Sequence, residues 1–338
     1  MSEQASESSA QSEQASESSE PRDQASESID FTKPSEPLGD DFVRRESWPV
    51  RGVAELELSV DVGRIEVHLD HAEEPEVRVE VRHDPTAGGM WTQGISGVLN
   101  WIGQATGGPG VEPADLAAEA VQAAEITWSE PGRRLVVRSS SELPLRVVPL
   151  VVTVTAPAGS RLAARTGAGD VGVTGRAGWA AVRTGSGEVD LAAVDGDADV
   201  TTGSGDLVLG EVAGRARLRT GSGGIRLTCA GGPTEIKAGS GDVAIGSMSG
   251  DLGVRSGSGE VRIDDARSGR FDLTTGSGEL RVAVHPGVRA ELDLTSGSGR
   301  ARSDLTVNST QPAESVALHV RGRTGSGDVL VTRATVPA

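Results

Sequence analysis

From Val53 to Arg82 apolar and polar residues alternate. Leu56, Leu58, Val60 and Val62 are followed by Ile65, Val67 and Leu69, then by Val77, Val79 and Val81, with Glu and Arg between them. Period two predicts half-buried strands. The glycine-centred stretch around Gly63 reads as a worn copy of a unit that recurs later. Over 84–125 the rhythm breaks. Ile95, Val98, Leu99 and Ile102 recur at helical spacing with Trp91 and Trp101 nearby, and Leu116, Ala120, Val121 and Ala124 follow Pro113. Two short helices are therefore expected in an insertion. Strands are expected again at Leu135–Val137 and Leu145–Thr155.

Beyond residue 166 the alternation acquires a longer beat. Gly-Ser-Gly or Gly-Ala-Gly occurs nine times, its first glycine at Gly167, Gly185, Gly203, Gly221, Gly239, Gly257, Gly276, Gly297 and Gly325. The intervals are 18, 18, 18, 18, 18, 19, 21 and 28. A fixed period in this range signifies a repeat architecture. Apolar pairs follow eight of the nine triplets, as in Val189/Leu191, Leu207/Leu209 and Ile225/Leu227, and a second set includes Ala198/Val200 and Ala216/Leu218. Gly178, Gly196, Gly214, Gly232 and Gly250 lie between the two sets. Each unit thus reads strand, glycine turn, strand, Gly-Ser-Gly turn, and glycine suits both bends because positive φ costs it nothing. Equivalent positions stack most simply in register, about 4.8 Å apart. The expected fold is all-β, a parallel β-solenoid of coils of about 18 residues, with those nine glycines as structural turns.

Charge follows the same beat. Arg165, Arg183, Thr201, Arg219, Lys237 and Arg255 precede the triplets; Asp170, Glu188, Asp206, Gly224, Asp242 and Glu260 follow them. A stacked column of one sign repels itself, so the basic column is expected to offset the acidic one across the turn. Flanking Ser and Thr are expected to form hydroxyl ladders on the turn edge. The last coils depart from the pattern, with Ala301 and Ser303 at inward positions, and read as a cap.

Composition narrows the function classes. The 338 residues carry a net charge of -17. Residues 1–46 hold 12 acids against Arg22, Lys33, Arg44 and Arg45, contributing -8, and repeat SEQASESS at 2–9 and 12–19. Such a segment is expected to be disordered. The balance argues against nucleic acid and acidic lipid as partners. Cys229 is the sole cysteine, which excludes an intrachain disulfide. The first residues lack a secretory pattern and the longest apolar runs, such as Val147–Val154, are strand-sized. A cytoplasmic protein without a transmembrane segment is expected. The division is a tail (1–46), N-terminal strands with the insertion (47–165) and regular repeats (166–335).

No catalytic, metal or cofactor residues are expected. A calcium coil needs acids every nine residues, and a phosphate loop would not place an acid directly after its glycines. His68, Asp70, His71, His83 and Asp84 meet no fixed ligand spacing and read as solvated surface; His285 and His319 stand isolated. The arginine and acid columns recur in every coil, whereas a catalytic or glycan-binding coil needs an asymmetric cluster. Trp91, Ile95, Leu99 and Ile102 form either a cap over the open end or a surface for a partner.

The repeated unit, the entry segment LPLRVVPLVVTVTAPAGSRLAARTGAGDV (143–171) and HPGVRAELDLTSGSG (285–299) resemble the uncharacterised β-strand-repeat family labelled "putative adhesin", related in style to head-GIN domains. The likeness covers roughly residues 50–335. It implies a β-helical fold and supplies no catalytic residue. The expectation is a non-enzymatic scaffold that meets a protein or polymer partner through repetitive charged faces. The alternative is a homo-oligomer that assembles end to end, like the bactofilin class.

Overall fold

The computed structural model describes residues 43–71, 74–87, 113–306 and 316–335. They are mostly β, and most of the strands lie in parallel register on two sheets, here A and B. In sheet A, Val189 stands opposite Leu207 and Leu191 opposite Leu209. In sheet B, Ala198 stands opposite Ala216 and Val200 opposite Leu218. Both offsets are 18 residues, so the chain visits each sheet once before returning to the same register. Leu191, Leu209, Leu227 and Ile245 from one sheet meet Val200, Leu218, Ile236 and Val254 from the other in one buried core. Aliphatic side chains, chiefly Val, Leu, Ala and Ile, fill this narrow space; Phe271 is its only fully buried aromatic among the described residues.

The Gly-Ser-Gly corners need glycine for two different reasons. A Cβ on the first glycine, Gly203, would lie 2.5 Å from the carbonyl oxygen of Gly185 on the neighbouring coil. None of the nine first glycines has a positive φ, so the sequence-based reason is corrected there: close stacking excludes the side chain. The second glycine, Gly205, combines a φ of 142° with a Cβ position 2.1 Å from the Gly187 carbonyl. Gly63, with φ 126°, makes the same corner inside the strand Glu55–Asp70 and switches the buried face from Leu56, Leu58 and Val60 to Ile65, Val67 and Leu69. The threonines before the triplets point inward. Thr184 Oγ1 donates to the carbonyls of Gly169 (3.2 Å) and Ser186 (3.1 Å), and Thr324 Oγ1 to that of Gly278 (3.0 Å). At Thr184 and Thr324 the expected edge ladder of hydroxyls is therefore a buried brace, whereas Thr166 and Thr202 bury Oγ1 without a hydrogen-bond partner among the described residues.

At both ends spatial order departs from chain order. The strand Glu55–Asp70 is a whole coil. It lies between Arg134–Arg138 and Arg161–Ala168 in sheet B, and between Leu150–Pro157 and Val171–Ala177 in sheet A. The far end repeats the device. Leu318–Thr324 inserts between Val261–Thr275 and Ala290–Ser296, and Val329–Arg333 between Leu280–Val284 and Ala301–Ser303. The interval of 28 thus records a chain that runs outward and then returns one layer inward. The outermost coil is the Gly297 coil, where Leu292 and Leu294 remain half-exposed.

The opposite end closes with antiparallel strands. Val43–Pro49 runs along Glu76–His83, which runs along Leu150–Pro157; Glu125–Ser129 runs along Arg134–Arg138. Trp48 and Trp128, on these two edge strands, stack at 5.7 Å. The helix Pro113–Ala123 buries Leu116, Ala120 and Val121 in the core, and Arg44 donates to the carbonyls of Ala124 (2.7 Å) and Gln122 (3.3 Å) at its end. This stretch of the insertion covers the core. Three boundaries are corrected. The first strand starts at Val43, inside the assigned tail; Glu125 opens a strand; and Leu145–Val147 is a 3-10 turn, with the strand delayed to Leu150. Pro149 has no N–H for a ladder, which explains the delay. Trp91, Ile95, Leu99 and Ile102 lie outside the described residues. No helix among the described residues is long and apolar enough to cross a membrane.

Candidate binding face on sheet B

Side chains on sheet B alternate between the core and the outer face, so the outward positions of successive coils form straight rows. The row beside the Gly-Ser-Gly corners runs, in spatial order, Arg138, Ser59, Arg165, Arg183, Thr201, Arg219, Lys237, Arg255, Thr274, Arg323, Thr295. It contains seven cations and no acid. Adjacent members are about 4.8 Å apart. Arg138 pairs with Glu57 at 2.9 Å and Lys237 with Glu235 at 2.7 Å. Among the described residues, Arg165, Arg183, Arg219, Arg255 and Arg323 make no ion pair. Hydrogen bonds from Arg138 and Arg134 hold the Glu57 carboxyl below the usual range. The hydrogen bond and charge of Lys237, with smaller contributions from Arg219 and Arg217, do the same for Glu235.

The acidic column does not answer this row. Asp170, Asp206, Asp242 and Asp328 each accept, through Oδ1, the backbone N–H at the same place on the neighbouring coil. The donors are Glu188 (2.9 Å), Gly224 (2.8 Å), Glu260 (2.8 Å) and Arg300 (2.8 Å). These carboxylates staple coil to coil, and no ion pair among the described residues joins the two columns. The expected offset across the turn therefore does not take the form of direct ion pairing, and the arginines of the row stay exposed to solvent.

One place on the face breaks the repetition. Two further rows carry Arg215, Pro233, Asp251 and Arg270, and Arg217, Glu235, Gly253 and Asp272. Pro233 and Gly253 stand where neighbouring coils carry long side chains. The result is a depression of about 390 Å³ floored by buried Thr234 and Leu252. A Cβ on Gly253 would meet nothing within 4 Å. Around the notch Glu235 is held by Lys237, and Asp251 Oδ1 accepts the Arg270 backbone N–H at 3.0 Å. The guanidinium groups of Arg215, Arg217 and Arg270 make no ion pair among the described residues. A second depression of about 260 Å³ shares Arg270 and Asp272; there His319 is engaged by Glu291 (3.0 Å) and Arg321 by Asp293 (2.9 Å).

The histidines are placed as follows. His68 Nδ1 lies 2.9 Å from Thr174 Oγ1, while Asp70 and His71 are exposed. Burial pushes His83 below the usual histidine range, against the charge of Asp84. His285, expected to stand alone, lies 2.7 Å from Asp265, which Arg267 also engages. Burial raises the Asp265 carboxyl, but these two partners outweigh it and leave it lowered. Among the described residues no three His, Cys, Asp or Glu converge as metal ligands would. Sequence reasoning weighed the repeating columns and missed the notch; its signal was the loss of charge at Pro233 and Gly253 in outward columns.

Residues 231–335 match the family model Toastrack DUF4097. No curated protein matches the sequence. Solved structures similar to the chain include a "putative adhesin" from Bacteroides fragilis, with 9% identity, a TM-score of 0.40, and 86% of this chain and 96% of that one covered. Another so titled, from Parabacteroides merdae, shows 12% identity, a TM-score of 0.39, and coverage of 87% and 97%. A "putative lipid binding protein" from Parabacteroides distasonis shows 11% identity, a TM-score of 0.31, and coverage of 87% and 98%. The match over 231–335 agrees with the family resemblance read from the repeats and assigns no partner.

Proposed function

We propose that the chain is a non-enzymatic interaction scaffold, a solenoid of coils of about 18 residues that holds an extended anionic polymer along sheet B. The observation that carries this reading is the row of Arg165, Arg183, Arg219, Arg255 and Arg323, exposed and without ion pairs among the described residues. Guanidinium groups one or two layers apart along a line suit a partner whose anions repeat along a line, because each can take a carboxylate, sulfate or phosphate with two parallel hydrogen bonds. Many weak contacts on one polymer add through effective concentration rather than through any deep pocket. The row lacks aromatic residues on which bases could stack, which disfavours single-stranded nucleic acid.

The test is titration of the full chain with size-defined polyanions at several salt concentrations. Binding should weaken with salt, since exposed charges are screened within about 8 Å at physiological ionic strength. The variant R165A/R183A/R323A should bind at least tenfold more weakly. Equal binding by this variant, or no binding at low salt, would remove the reading. Sedimentation of the same samples decides the end-to-end alternative, which requires filaments.

A further inference from the structure

We infer that the notch at Pro233 and Gly253 is a binding site for one acidic sugar unit of a linear glycan, and that it sets which polyanion the face selects. The inference rests on the cationic row as a polymer track and adds a specific site to it. The row alone is indifferent to what links the anions. The notch is different because it is concave and occurs where the columns lose their side chains. Its volume, about 390 Å³, lies within the range of about 300–1,000 Å³ typical of small-ligand sites.

The chemistry around it has two signs at close quarters. Arg215, Arg217 and Arg270 offer unpaired guanidinium groups to a carboxylate or sulfate. Glu235, Asp251 and Asp272 supply carboxylates that accept hydrogen bonds from hydroxyls. A bare phosphate chain would meet those three acids as repulsion, with no hydroxyl to donate to them. An extended acidic peptide fits poorly for another reason. The notch opens on the middle of a sheet, where the ladder already uses the backbone groups of Thr234–Ala238 and Leu252–Ser256. A peptide laid there would cover its own N–H and C=O groups without ladder partners. A glycan has no such obligatory backbone and brings hydroxyls instead.

The experiment uses the full chain, an oligogalacturonate of defined length, polyphosphate of matched charge, an acidic peptide of matched charge and neutral dextran, each titrated at one salt concentration. Gly253→Leu fills the notch without adding charge, and the open space there lets it fold; Gly253→Ala leaves most of the notch open. Wild type should bind oligogalacturonate at least tenfold more tightly than polyphosphate or the peptide. Gly253→Leu should erase that preference, with polyphosphate binding unchanged, and Gly253→Ala should keep it within threefold. Arg217→Ala should weaken oligogalacturonate more than polyphosphate. Wild-type preference for polyphosphate or peptide, or an unaltered preference in Gly253→Leu, would overturn the notch assignment. If R165A/R183A/R323A still lowers binding of all polyanions in that case, the polymer-track reading stands alone. If wild type binds none of them, both fall.

Discussion

The central coils and the two ends solve the same problem in opposite ways. Between Gly167 and Ser256 each strand pairs with the strand 18 residues away, so contacts are near in sequence and every layer resembles the next. At the ends the chain folds back on itself. Glu55–Asp70 is clamped between layers that come later, and Leu318–Arg333 between layers that come earlier. An open stack would leave its first and last coils as fraying layers with unpaired edges. Here the segments nearest the described termini at the C-terminal side, and the first complete coil at the other, are interior layers. The centre is modular; the ends are interlocked, and losing one layer there strands another.

The largest test of that contrast is deletion. Excising 203–220 joins Thr202 to Gly221, the same junction one coil on, and should give a folded protein with a cooperative melt by circular dichroism at reduced Tm. Removing 316–338 takes away the layer that holds Ala290–Ser303 and should cause insolubility or loss of the cooperative transition. Equal tolerance of both deletions would break the comparison. Next in size are the glycines. Gly205→Ala should destabilise by about 2–3 kcal/mol because its Cβ meets a backbone carbonyl that cannot move independently. Gly253→Ala should be stabilising by about 0.5–1 kcal/mol through the unfolded chain. Denaturant midpoints measure both.

The coil-to-coil staples come third. Asp242→Ala leaves the Glu260 N–H without its acceptor and should cost about 1–2 kcal/mol. Glu188→Ala, on the same column but with no side-chain bond to the next coil among the described residues, should stay within about 0.5 kcal/mol. The smallest effect is that of pH at the N-terminal end. The Glu57 carboxyl is lowered in the fold, so its contribution is present above the ordinary glutamate value of about 4.3. It is lost as pH falls through that value towards the folded one. Replacing Glu57 with Gln should therefore destabilise at neutral pH, by less than about 1 kcal/mol for such a partly exposed group, and the difference from wild type should vanish in acid. A difference that grew in acid would contradict the pairing with Arg134 and Arg138.

The repeated positions were legible because a coil that stacks on a copy of itself demands the same residue at the same place. Gly203 and Gly205, Thr184, Leu191 and Val200 each announce their place in the coil by recurrence, although the crowding at Gly203 and the inward turn of Thr184 show only in the fold. The edge strand at Val43 and the strand at Glu125 were not, because each pairs with a strand whose identity depends on how the end closes. The cationic row was visible as a column, yet its freedom was hidden. Only in the fold do Asp170, Asp206 and Asp242 turn to backbone N–H groups, leaving the arginines to solvent. The notch was hidden further, since Pro233 and Gly253 are unremarkable residues until Arg217 and Arg270 are known to stand beside them.

Period and polarity by themselves determined a parallel β architecture with glycine corners and small apolar columns, since those features depend on local geometry and on a neighbour of the same sequence. The tertiary structure alone decided the order of layers at each end, the partners of the acids and the concavity on sheet B. These depend on contacts between residues as far apart as Gly276 and Gly325, whose stacking places the last coil beneath the one that precedes it. A repeat has no label for which copy it should pair with; burial of the outer coil and closure of the edges supply one.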